Sequence, residues 1–363
     1  GIDAAVKYLH NIGIDLNGYI LMGEHGVTGR VLTRKHFVTK DEGIEYLNII
    51  ASEYRDFANK SRRVRLFLKN SPNTSRVIYV VRTEIDPDWH TFIQYIFPDA
   101  KIIHIIIDDG AATYEDPSKS ALQYLRLNGE KGIGRLVQYP YLRLKLWYRV
   151  FCLKMWKRKY ERNGEYICGA IYNKNVNKNG KIEFQKNEPF SKLYSEVFME
   201  SPLVISEEFI NMFESTILVN TQCLKENNLT DGKVDYKVLQ DFLRCVEDSN
   251  TKVIIKPHPR EQNRQKYEGS GCGVVYERVS QEVSLARLKQ KPKCIVSFYS
   301  SLLLNAYGLF NVPAISLARM LMKEDISQAL RIELDEYYRN YKSVIYFPEN
   351  YNELKELLKR ILR

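Results

Sequence analysis

A short β-branched run that stops at two prolines constrains the fold of this chain more than any other stretch. Val253, Ile254 and Ile255 predict a buried strand. The segment Pro257-His258-Pro259 ends that strand, because proline has no backbone N–H to donate to a neighbouring strand. Such an ending predicts that His258 lies at the carboxyl edge of an open α/β sheet, where these sheets bind their ligands. His258 is therefore the first candidate for chemistry.

A pair of hydroxyls follows the next predicted parallel strand. Residues 293–297 are centred on the apolar run Cys294-Ile295-Val296 and predict a strand, and Phe298-Tyr299-Ser300-Ser301 then leads into a helical run that begins at Leu302. Free backbone N–H groups and the positive end of the helix dipole lie at a helix start, where both favour an anion. Ser300 and Ser301 are therefore predicted to bind a phosphate. We expect this phosphate site to lie on a neighbouring strand end and to face one cleft together with His258.

Paired acids follow a third predicted strand. Residues 100–107 form a strongly β-branched run that ends in Asp108-Asp109-Gly110. Carboxylates at a strand end are candidates for proton transfer. Such carboxylates also stabilise turns by accepting hydrogen bonds from backbone N–H groups, so both roles stay open.

Strand and helix patterns alternate along both halves of the chain. Strands are predicted over 18–22, 76–81, 100–107, 216–220, 252–256, 274–276, 293–297 and 312–316. Helices are predicted over 1–12, 41–60, 88–96, 190–198, 235–246, 281–288 and 353–362. This alternation is typical of parallel sheets covered by helices on both faces, so the sequence predicts an α/β fold with two Rossmann-like domains.

A hydrophilic stretch over 173–189 separates the two predicted domains. It is rich in Asn and Lys and predicts a surface excursion with a hairpin turn around 178–181. The predicted boundaries are 1–190 for the N-terminal domain, 191–345 for the C-terminal domain and 346–363 for a closing helix. Because an α/β domain usually opens with a strand, the helical start at 1–12 suggests that a first strand is missing.

Composition argues against a membrane-spanning or metal-binding protein and indicates an anionic partner. The chain has 363 residues, a net charge of +10 and a pI of about 9.1. Nucleic acid, anionic lipid and a nucleotide substrate all fit that charge. No apolar run approaches the roughly 18 residues of a membrane span. The six cysteines lack a C-x-x-C pair and the six histidines lack metal-ligand spacing, which favours reduced thiols in a cytoplasmic protein and no metal site.

Residues 135–162 form a basic segment in which aromatic side chains alternate with Lys and Arg. The aromatic residues are Trp147, Tyr148, Phe151 and Trp156, and Glu161 is the one acid in the segment. A basic amphipathic helix of this kind can lie on an anionic membrane surface. It can equally pack its apolar side on its own domain and leave the charges in water.

Three motifs in a fixed order resemble those of the bacterial sialyltransferases. They are Asp108-Asp109-Gly110, His258-Pro259 and Ser300-Ser301, and their flanks 107–114, 257–261 and 298–303 are most similar to the lipooligosaccharide sialyltransferase family, glycosyltransferase family 52. The resemblance spans roughly residues 70–320. The family's first strand and early acceptor-side motif are not visible in this chain.

This resemblance implies a GT-B fold, in which two Rossmann-like domains face each other across a cleft. It also implies an inverting, metal-independent sialyltransferase that moves sialic acid from CMP-sialic acid to a terminal sugar hydroxyl, usually galactose. The acceptor would be a glycan or glycolipid such as lipooligosaccharide or capsule. The N-terminal domain would hold the acceptor and the C-terminal domain the donor, with no cofactor and no metal.

The resemblance also gives each motif a role. His258 would hydrogen-bond or protonate the phosphate of the departing CMP, while Ser300 and Ser301 hold it. The general base would be Asp109 (or Asp108), or else Asp235, for which a helix N-cap is the alternative. The residues predicted to bind substrate are Asp108, Gly110, Pro259, Arg260, Tyr299, Ser300 and Ser301. Arg260 could instead form a surface pair with Glu261, and Tyr299 could pack in the core rather than stack on cytosine.

Two other functions remain open at this level. One is a GT-B transferase that uses another nucleotide-sugar donor, and the other is a basic nucleic-acid-binding protein. The preferred interpretation is the transferase, with a nucleotide-sugar donor, a glycan acceptor, no nucleic acid and a peripheral contact with the inner face of the cell membrane through 135–162. The sequence leaves the oligomeric state open, a homodimer included.

Overall fold

The structure, a computed structural model, describes residues 2–14, 19–23, 45–49, 77–82, 94, 98–107, 144, 147–148, 151, 154–176, 182–203, 205–277 and 280–363. These residues belong to two compact units. The first contains the described residues up to 170 together with 200–203, and the second contains 171–199 and the described residues from 205 onward. The predicted boundary near 190 and the assignment of acceptor and donor halves stay predictions.

The first unit is built on parallel strands. Its elements are α1 (Ile2–Asn11), β1 (Tyr19–Gly23), β2 (Glu45–Ile49), β3 (Val77–Arg82), β4 (Lys101–Ile107) and β5 (Tyr166–Gly169). β1 pairs with β2, and β4 pairs with β3 on one side and β5 on the other, all in parallel. Trp156 and Tyr160, on the helical segment 154–162, pack against Ile106 of β4 and Tyr166 of β5. These contacts cover one face of β4.

One predicted helix of the first unit is wrong. The sequence predicted a helix over 41–60, but the described residues within it form the strand β2. The apolar residues of this region fit a helical period and a strand equally well over so short a run. Pairing along the full length of β1, from Tyr19 opposite Glu45 to Gly23 opposite Ile49, satisfies backbone groups along the shared edge of the two strands and favours the strand.

The second unit carries a five-stranded parallel sheet. Its elements are β6 (Tyr172–Val176), β7 (Ile182–Lys186), α2 (Glu188–Met199), α3 (Glu207–Asn211), β8 (Ile217–Asn220), α4 (Val234–Val246), β9 (Val253–Lys256), β10 (Gly273–Val274), α5 (Gln281–Arg287), β11 (Cys294–Ser297), α6 (Ser301–Phe310), β12 (Ala314–Ser316), α7 (Ala318–Leu321), α8 (Gln328–Tyr341) and α9 (Tyr351–Leu362). The strand order is β10-β9-β8-β11-β12, which places the first strand in the middle, as in a Rossmann domain.

Burial on both faces explains why these strands are short and almost wholly apolar. Every residue of β11 is buried, and so are Ile217, Leu218 and Val219 of β8. Ile217 and Val219 face a core that also contains Phe242 of α4 and Leu354 of α9. Parallel strands covered on both faces require such apolar runs. The α/β class and the two-unit organisation of the predicted GT-B fold are therefore confirmed.

The hydrophilic stretch over 173–189 is anchored by aromatic side chains that its composition conceals. β6 and β7 form the predicted antiparallel hairpin, whose turn lies outside the described residues. The ring of Phe184 lies 5.8 Å from that of Tyr172 and 5.3 Å from that of Tyr341 on α8. The Tyr172 hydroxyl donates to the carbonyl of Leu304 on α6 at 3.0 Å. The hairpin therefore packs on the second unit instead of extending from its surface.

This packing makes Gly308 a test of the fold. A Cβ at this position of α6 would lie 2.7 Å from Cζ of Tyr172 and closer still to its hydroxyl. We expect Gly308→Ala to lower the free energy of unfolding by about 1–2 kcal/mol, because overpacking outweighs the better helix propensity of alanine. Chemical denaturation measures this change.

Gly269→Ala is the matched control for Gly308→Ala. A Cβ there meets nothing within 4 Å. We expect its free energy of unfolding to stay within about 0.5 kcal/mol of the wild type. Equal stability of the two variants would contradict the packing of β6 on α6.

Candidate active site

The candidate site lies at the carboxyl edge of the second unit's sheet. β8 occupies the centre, with β9 on one side and β11 on the other. His258 follows β9 and Ser300 follows β11, so the two predicted residues are not on neighbouring strands as the sequence suggested. They flank the end of β8, where Thr221 and Gln222 lie. This is the point at which the strand order reverses, and open α/β sheets bind ligands there.

A closed set of backbone hydrogen bonds holds the His258 turn. The His258 N–H donates to Oε2 of Glu261 at 2.8 Å and to the Thr221 hydroxyl at 3.1 Å. The Glu261 N–H donates back to the His258 carbonyl at 3.0 Å. The Thr221 N–H donates to the Lys256 carbonyl at 3.2 Å, which ties the ends of β8 and β9 together. The turn therefore carries His258 on a fixed backbone.

Glu261 is buried, which corrects its predicted pairing with Arg260 at the surface. The residue has 5% of its surface exposed, whereas Arg260 is exposed. Oε1 of Glu261 accepts the Tyr267 hydroxyl at 2.8 Å and lies 3.4 Å from Nζ of Lys266, and Oε2 accepts the Thr221 hydroxyl. A buried carboxylate needs such donors to offset the loss of its hydration. Burial beside this carboxylate raises the pKa of Tyr267 and keeps its hydroxyl protonated as a donor.

The hydrogen bonds of the His258 imidazole determine which ring nitrogen carries the proton. Its Nδ1 accepts the backbone N–H of Arg260 at 3.2 Å. In the neutral ring the proton therefore sits on Nε2, which is left as the hydrogen-bond donor. Burial, and then the charge of Arg260, lower the pKa of His258 from its ordinary value of 6.5. His258 is thus a neutral donor at pH 7.

The second predicted element of the site is organised by buried side chains. The Ser300 hydroxyl caps α6 by accepting the Leu302 N–H at 3.2 Å, as the sequence predicted for a helix start. The Tyr337 hydroxyl donates to the Ser300 carbonyl at 2.9 Å and accepts the Ser300 N–H at 3.3 Å. Ser301 is the first residue of α6. The Ser300-Ser301 pair therefore stands on a fixed helix start.

Tyr299 is held by a side-chain amide from the loop after β8. The Gln222 amide donates to the Tyr299 carbonyl, and its Oε1 accepts the Tyr299 N–H at 3.0 Å. The Tyr299 ring makes an edge contact with Tyr337 at 6.1 Å between ring centroids. Gln222 thus links the end of β8 to the end of β11, while stacking of Tyr299 on a base stays a prediction.

Two polar atoms at the strand ends are buried without a hydrogen-bond partner among the residues that the structure describes. They are Nδ2 of Asn220 and Oγ of Ser297. Val219 pairs with Val296, so these two residues follow directly at the ends of neighbouring strands β8 and β11. Unsatisfied groups of this kind usually mark ordered water or a ligand. Their place at the reversal point supports ligand binding at this edge.

Comparison with known proteins decides the family. A sequence model of the family described as alpha-2,8-polysialyltransferase (POLYST) matches residues 31–319, most of the chain. The chain belongs to the alpha-2,8-polysialyltransferase family. The prediction of a sialyltransferase is thereby confirmed, whereas the narrower resemblance to glycosyltransferase family 52 is not what matches. No curated protein matches this polysialyltransferase-family chain.

Several solved structures resemble this chain at low sequence identity. One is an alpha/beta-galactoside alpha-2,3-sialyltransferase from Photobacterium phosphoreum, at 11% identity over 95% of each chain with a TM-score of 0.46. Another is a variant of Os79 from O. sativa in complex with UDP, at 11% identity over 99% of this chain and 88% of that one, with a TM-score of 0.46. A third is the Methanocaldococcus jannaschii UDP-GlcNAc 2-epimerase, at 12% identity over 95% and 92% with a TM-score of 0.41.

Asp235, a predicted catalytic residue of this polysialyltransferase-family chain, is buried in the first turn of α4. Its Oδ1 accepts the Thr230 hydroxyl at 2.9 Å. Its Oδ2 lies 3.8 Å from Nζ of Lys266, which also pairs with Glu261. Lys266 therefore connects Asp235 to the carboxylate that holds the His258 backbone. Its role as a base stays a prediction.

Asp235 does not cap α4, although the sequence allowed that role. Asp231 accepts the first free backbone N–H groups instead, from Lys233 at 2.8 Å and Val234 at 3.2 Å. These bonds lower the pKa of Asp231. Asp235 lies in the first turn of the helix, with 4% of its surface exposed.

The remaining predicted residues divide between the exposed surface and the undescribed part of the chain. Pro259 and Arg260 are exposed beside His258. Asp108, Asp109 and Gly110 lie outside the described residues, so their roles stay predictions. Within the described residues, no group of three or more His, Cys, Asp or Glu could hold a metal ion.

Several residues that build the site carry no signal in the sequence. These are Thr221, Gln222, Lys266, Tyr267 and Tyr337, along with the buried position of Glu261. Thr221, Gln222 and Tyr337 act through partners distant in the chain; Tyr337 on α8, for example, contacts Ser300 across 37 residues. Only the position of Thr221 and Gln222 just after a predicted strand could have drawn attention to them.

The lowered pKa of His258 predicts a pH-dependent stability. The unfolded chain binds a proton at His258 more readily than the folded protein, so folding loses stability as the pH falls below about 6.5. We expect the free energy of unfolding to fall less in His258→Asn than in the wild type between pH 7 and pH 5. Urea titrations at each pH measure both slopes. Parallel slopes would contradict a half-buried histidine with a lowered pKa.

Proposed function

We propose that this chain transfers sialic acid from CMP-sialic acid to the end of a glycan, with inversion and without a metal. One observation carries the proposal: a neutral His258 donor lies on one side of the β8 end, and the capped start of α6 lies on the other. The family match supports sialic acid as the group transferred. The donor, the stereochemistry and the absence of a metal remain proposals that the geometry favours.

Departure of CMP leaves negative charge on a phosphate oxygen, and this site is suited to receive it. His258 would donate its Nε2–H to that oxygen in a partly buried setting, where a hydrogen bond to charge is strong. The Ser300 and Ser301 hydroxyls, at the positive end of the α6 dipole, would hold the other oxygens. Because neutral donors and a helix dipole would stabilise this charge, a divalent cation is not required.

Asp109 is the proposed general base, with Asp235 as the alternative. A base must reach the acceptor hydroxyl within about 2.6–3.2 Å. The Asp235 carboxylate is buried, accepts the Thr230 hydroxyl and lies near Lys266, which favours a supporting role. Asp109, next to Asp108, belongs to the acidic motif that resembles the sialyltransferase base.

The acceptor proposed here differs from the galactose expected from the sequence. The family's description names alpha-2,8-polysialyl transfer, which supports an acceptor that already ends in sialic acid. Repeated transfer to such an end would build a polymer. A galactose-terminated lipooligosaccharide or capsule unit remains the alternative acceptor.

CMP release from CMP-sialic acid in EDTA tests the proposal. We expect turnover with a sialyl-terminated acceptor to exceed turnover with a galactose-terminated one. His258→Ala should lower turnover at least about a hundredfold, the scale of one positioned acid–base group. Asp109→Asn should lower turnover more than Asp235→Asn. High-performance chromatography of CMP measures all four proteins.

His10→Ala is the matched control for His258→Ala, because it removes an exposed histidine from α1 in the other unit. We expect wild-type turnover from it. CMP release that is unchanged in His258→Ala, or that requires a divalent cation, would contradict the mechanism. Turnover with a different nucleotide sugar and none with CMP-sialic acid would show that the proposed donor is wrong.

We also propose that the basic segment 135–162 contacts an anionic membrane surface. Trp147, Phe151 and Met155 recur at helical spacing and stay 65%, 47% and 51% exposed, and Trp147 stacks on Phe151 at 5.7 Å. Trp156 and Tyr160 pack on the first unit instead, so only part of the apolar surface is used internally. Exposed aromatics beside Lys and Arg favour a lipid interface. Within the described residues, no helix is long and apolar enough to cross a membrane.

Sedimentation with vesicles of phosphatidylserine and phosphatidylcholine tests this contact. Replacing Lys157, Arg158 and Lys159 by Gln should weaken binding about a hundredfold, because each basic residue near the surface adds about 1 kcal/mol. Replacing the exposed Lys342, Lys359 and Arg360 by Gln removes the same charge elsewhere and should leave binding unchanged. Equal losses of vesicle binding in the two triple variants would show that net charge alone explains binding, and would contradict a contact through this segment.

A further inference from the structure

The turn that carries His258 has few backbone donors, and all of them are occupied. Pro257 and Pro259 have no N–H. The His258 N–H bonds to Glu261 and Thr221, the Arg260 N–H bonds to Nδ1 of His258, and the Glu261 N–H bonds to the His258 carbonyl. The turn therefore has no free amide between 257 and 261 with which to bind a substrate. Its chemistry depends on the His258 ring.

Glu261 is the centre of this arrangement. Its carboxylate accepts the His258 N–H at 2.8 Å, the Tyr267 hydroxyl at 2.8 Å and the Thr221 hydroxyl, with Nζ of Lys266 at 3.4 Å. Both oxygens are thus engaged, and donors reach them from β9's turn, from the loop after β8 and from the 264–270 segment. Few carboxylates that face solvent could hold a backbone so firmly, since water would compete for each bond.

The bonds of Glu261 reach the reactive ring through the backbone of His258. The carboxylate holds the N–H on one side of His258, and the Glu261 N–H holds its carbonyl on the other. This closes the turn so that the Arg260 N–H points at Nδ1 of the ring. With Nδ1 occupied as an acceptor, Nε2 keeps the proton of the neutral ring.

We propose that Glu261 is a positioning residue for His258, which fixes the ring with Nδ1 as acceptor and Nε2 as the donor toward the leaving phosphate. The inference rests on the proposed transferase function for its catalytic consequence. Its structural half does not, because the protonated nitrogen of His258 is measurable without turnover. Glu261 touches neither donor nor acceptor in this scheme and acts through His258.

Glu261→Ala and Glu261→Gln separate positioning from charge. Alanine leaves the His258 N–H without its carboxylate, and we expect kcat to fall roughly tenfold to a hundredfold, the scale of a small misplacement of a catalytic group. The KM for CMP-sialic acid should change less than about threefold. Glutamine keeps an amide oxygen that can accept the same N–H, so we expect it to recover most of kcat.

Long-range ¹H–¹⁵N spectra of histidine-labelled protein report the ring directly. His258→Ala assigns the His258 signals. The wild type should show the proton on Nε2, Glu261→Gln should keep it there, and Glu261→Ala should show a mixture of the two neutral forms. Glu268→Ala is the matched control, since Glu268 is exposed and accepts a tyrosine hydroxyl, from Tyr276 at 2.8 Å, without contacting His258. It should match the wild type in both measurements.

Each outcome either supports or overturns the role of Glu261. A folded Glu261→Ala with wild-type kcat and the proton on Nε2 overturns it, as does a loss of kcat with an unchanged ring. If Glu261→Ala does not fold, Tyr267→Phe and Thr221→Val each remove one bond to the carboxylate and should lower kcat about twofold to tenfold with a shifted ring signal. Absence of transfer from CMP-sialic acid in the wild type refutes the proposed function, while the spectra still decide the positioning.

Discussion

Simultaneous pairing of β8 with two strands is the constraint on which the second unit depends. Leu218 pairs with Ile254 of β9 on one side and with Ile295 of β11 on the other. A strand paired at both edges and buried on both faces cannot shift its register without moving its apolar residues out of the core. The ends of three strands are therefore held about 5 Å apart, side by side. The contacts of Thr221 and Gln222 in the candidate site each span one of these two gaps.

That spacing explains how short polar side chains organise the site. Thr221 reaches across to the β9 turn, where its hydroxyl binds Glu261 and accepts the His258 N–H. Gln222 reaches the other way and binds both backbone groups of Tyr299. The loop after β8 thus fixes both halves of a site whose named motifs lie on β9 and β11. A rigid frame of this kind suits the proposed departure of a charged phosphate, because its donors need no reorganisation.

Burial and polarity also explain the division of roles among the acids. Glu261 and Asp235 are both buried and share Lys266, whose positive charge partly offsets the two negative charges. Asp231 remains at the surface and caps α4. The three acids therefore differ in role: Glu261 holds the His258 turn, Asp235 is buried beside Lys266, and Asp231 caps α4. The sequence alone does not distinguish these roles. Family membership indicates that this chain transfers sialic acid. The hydrogen bonds around the His258 turn explain why His258 can donate a hydrogen bond while neutral.

The sequence by itself determined the α/β class, most elements of the second unit, and the strand-end positions of His258 and Ser300. Those follow from short-range physics, because β-branched runs, prolines and a helix-capping serine act on their own neighbours. Only the tertiary structure decided that β8 lies between β9 and β11, that 45–49 pairs as a strand, and that Glu261 is buried. Each of these depends on a partner far along the chain, as Tyr337 does for Ser300, and the free energy of such contacts is not encoded in any local pattern.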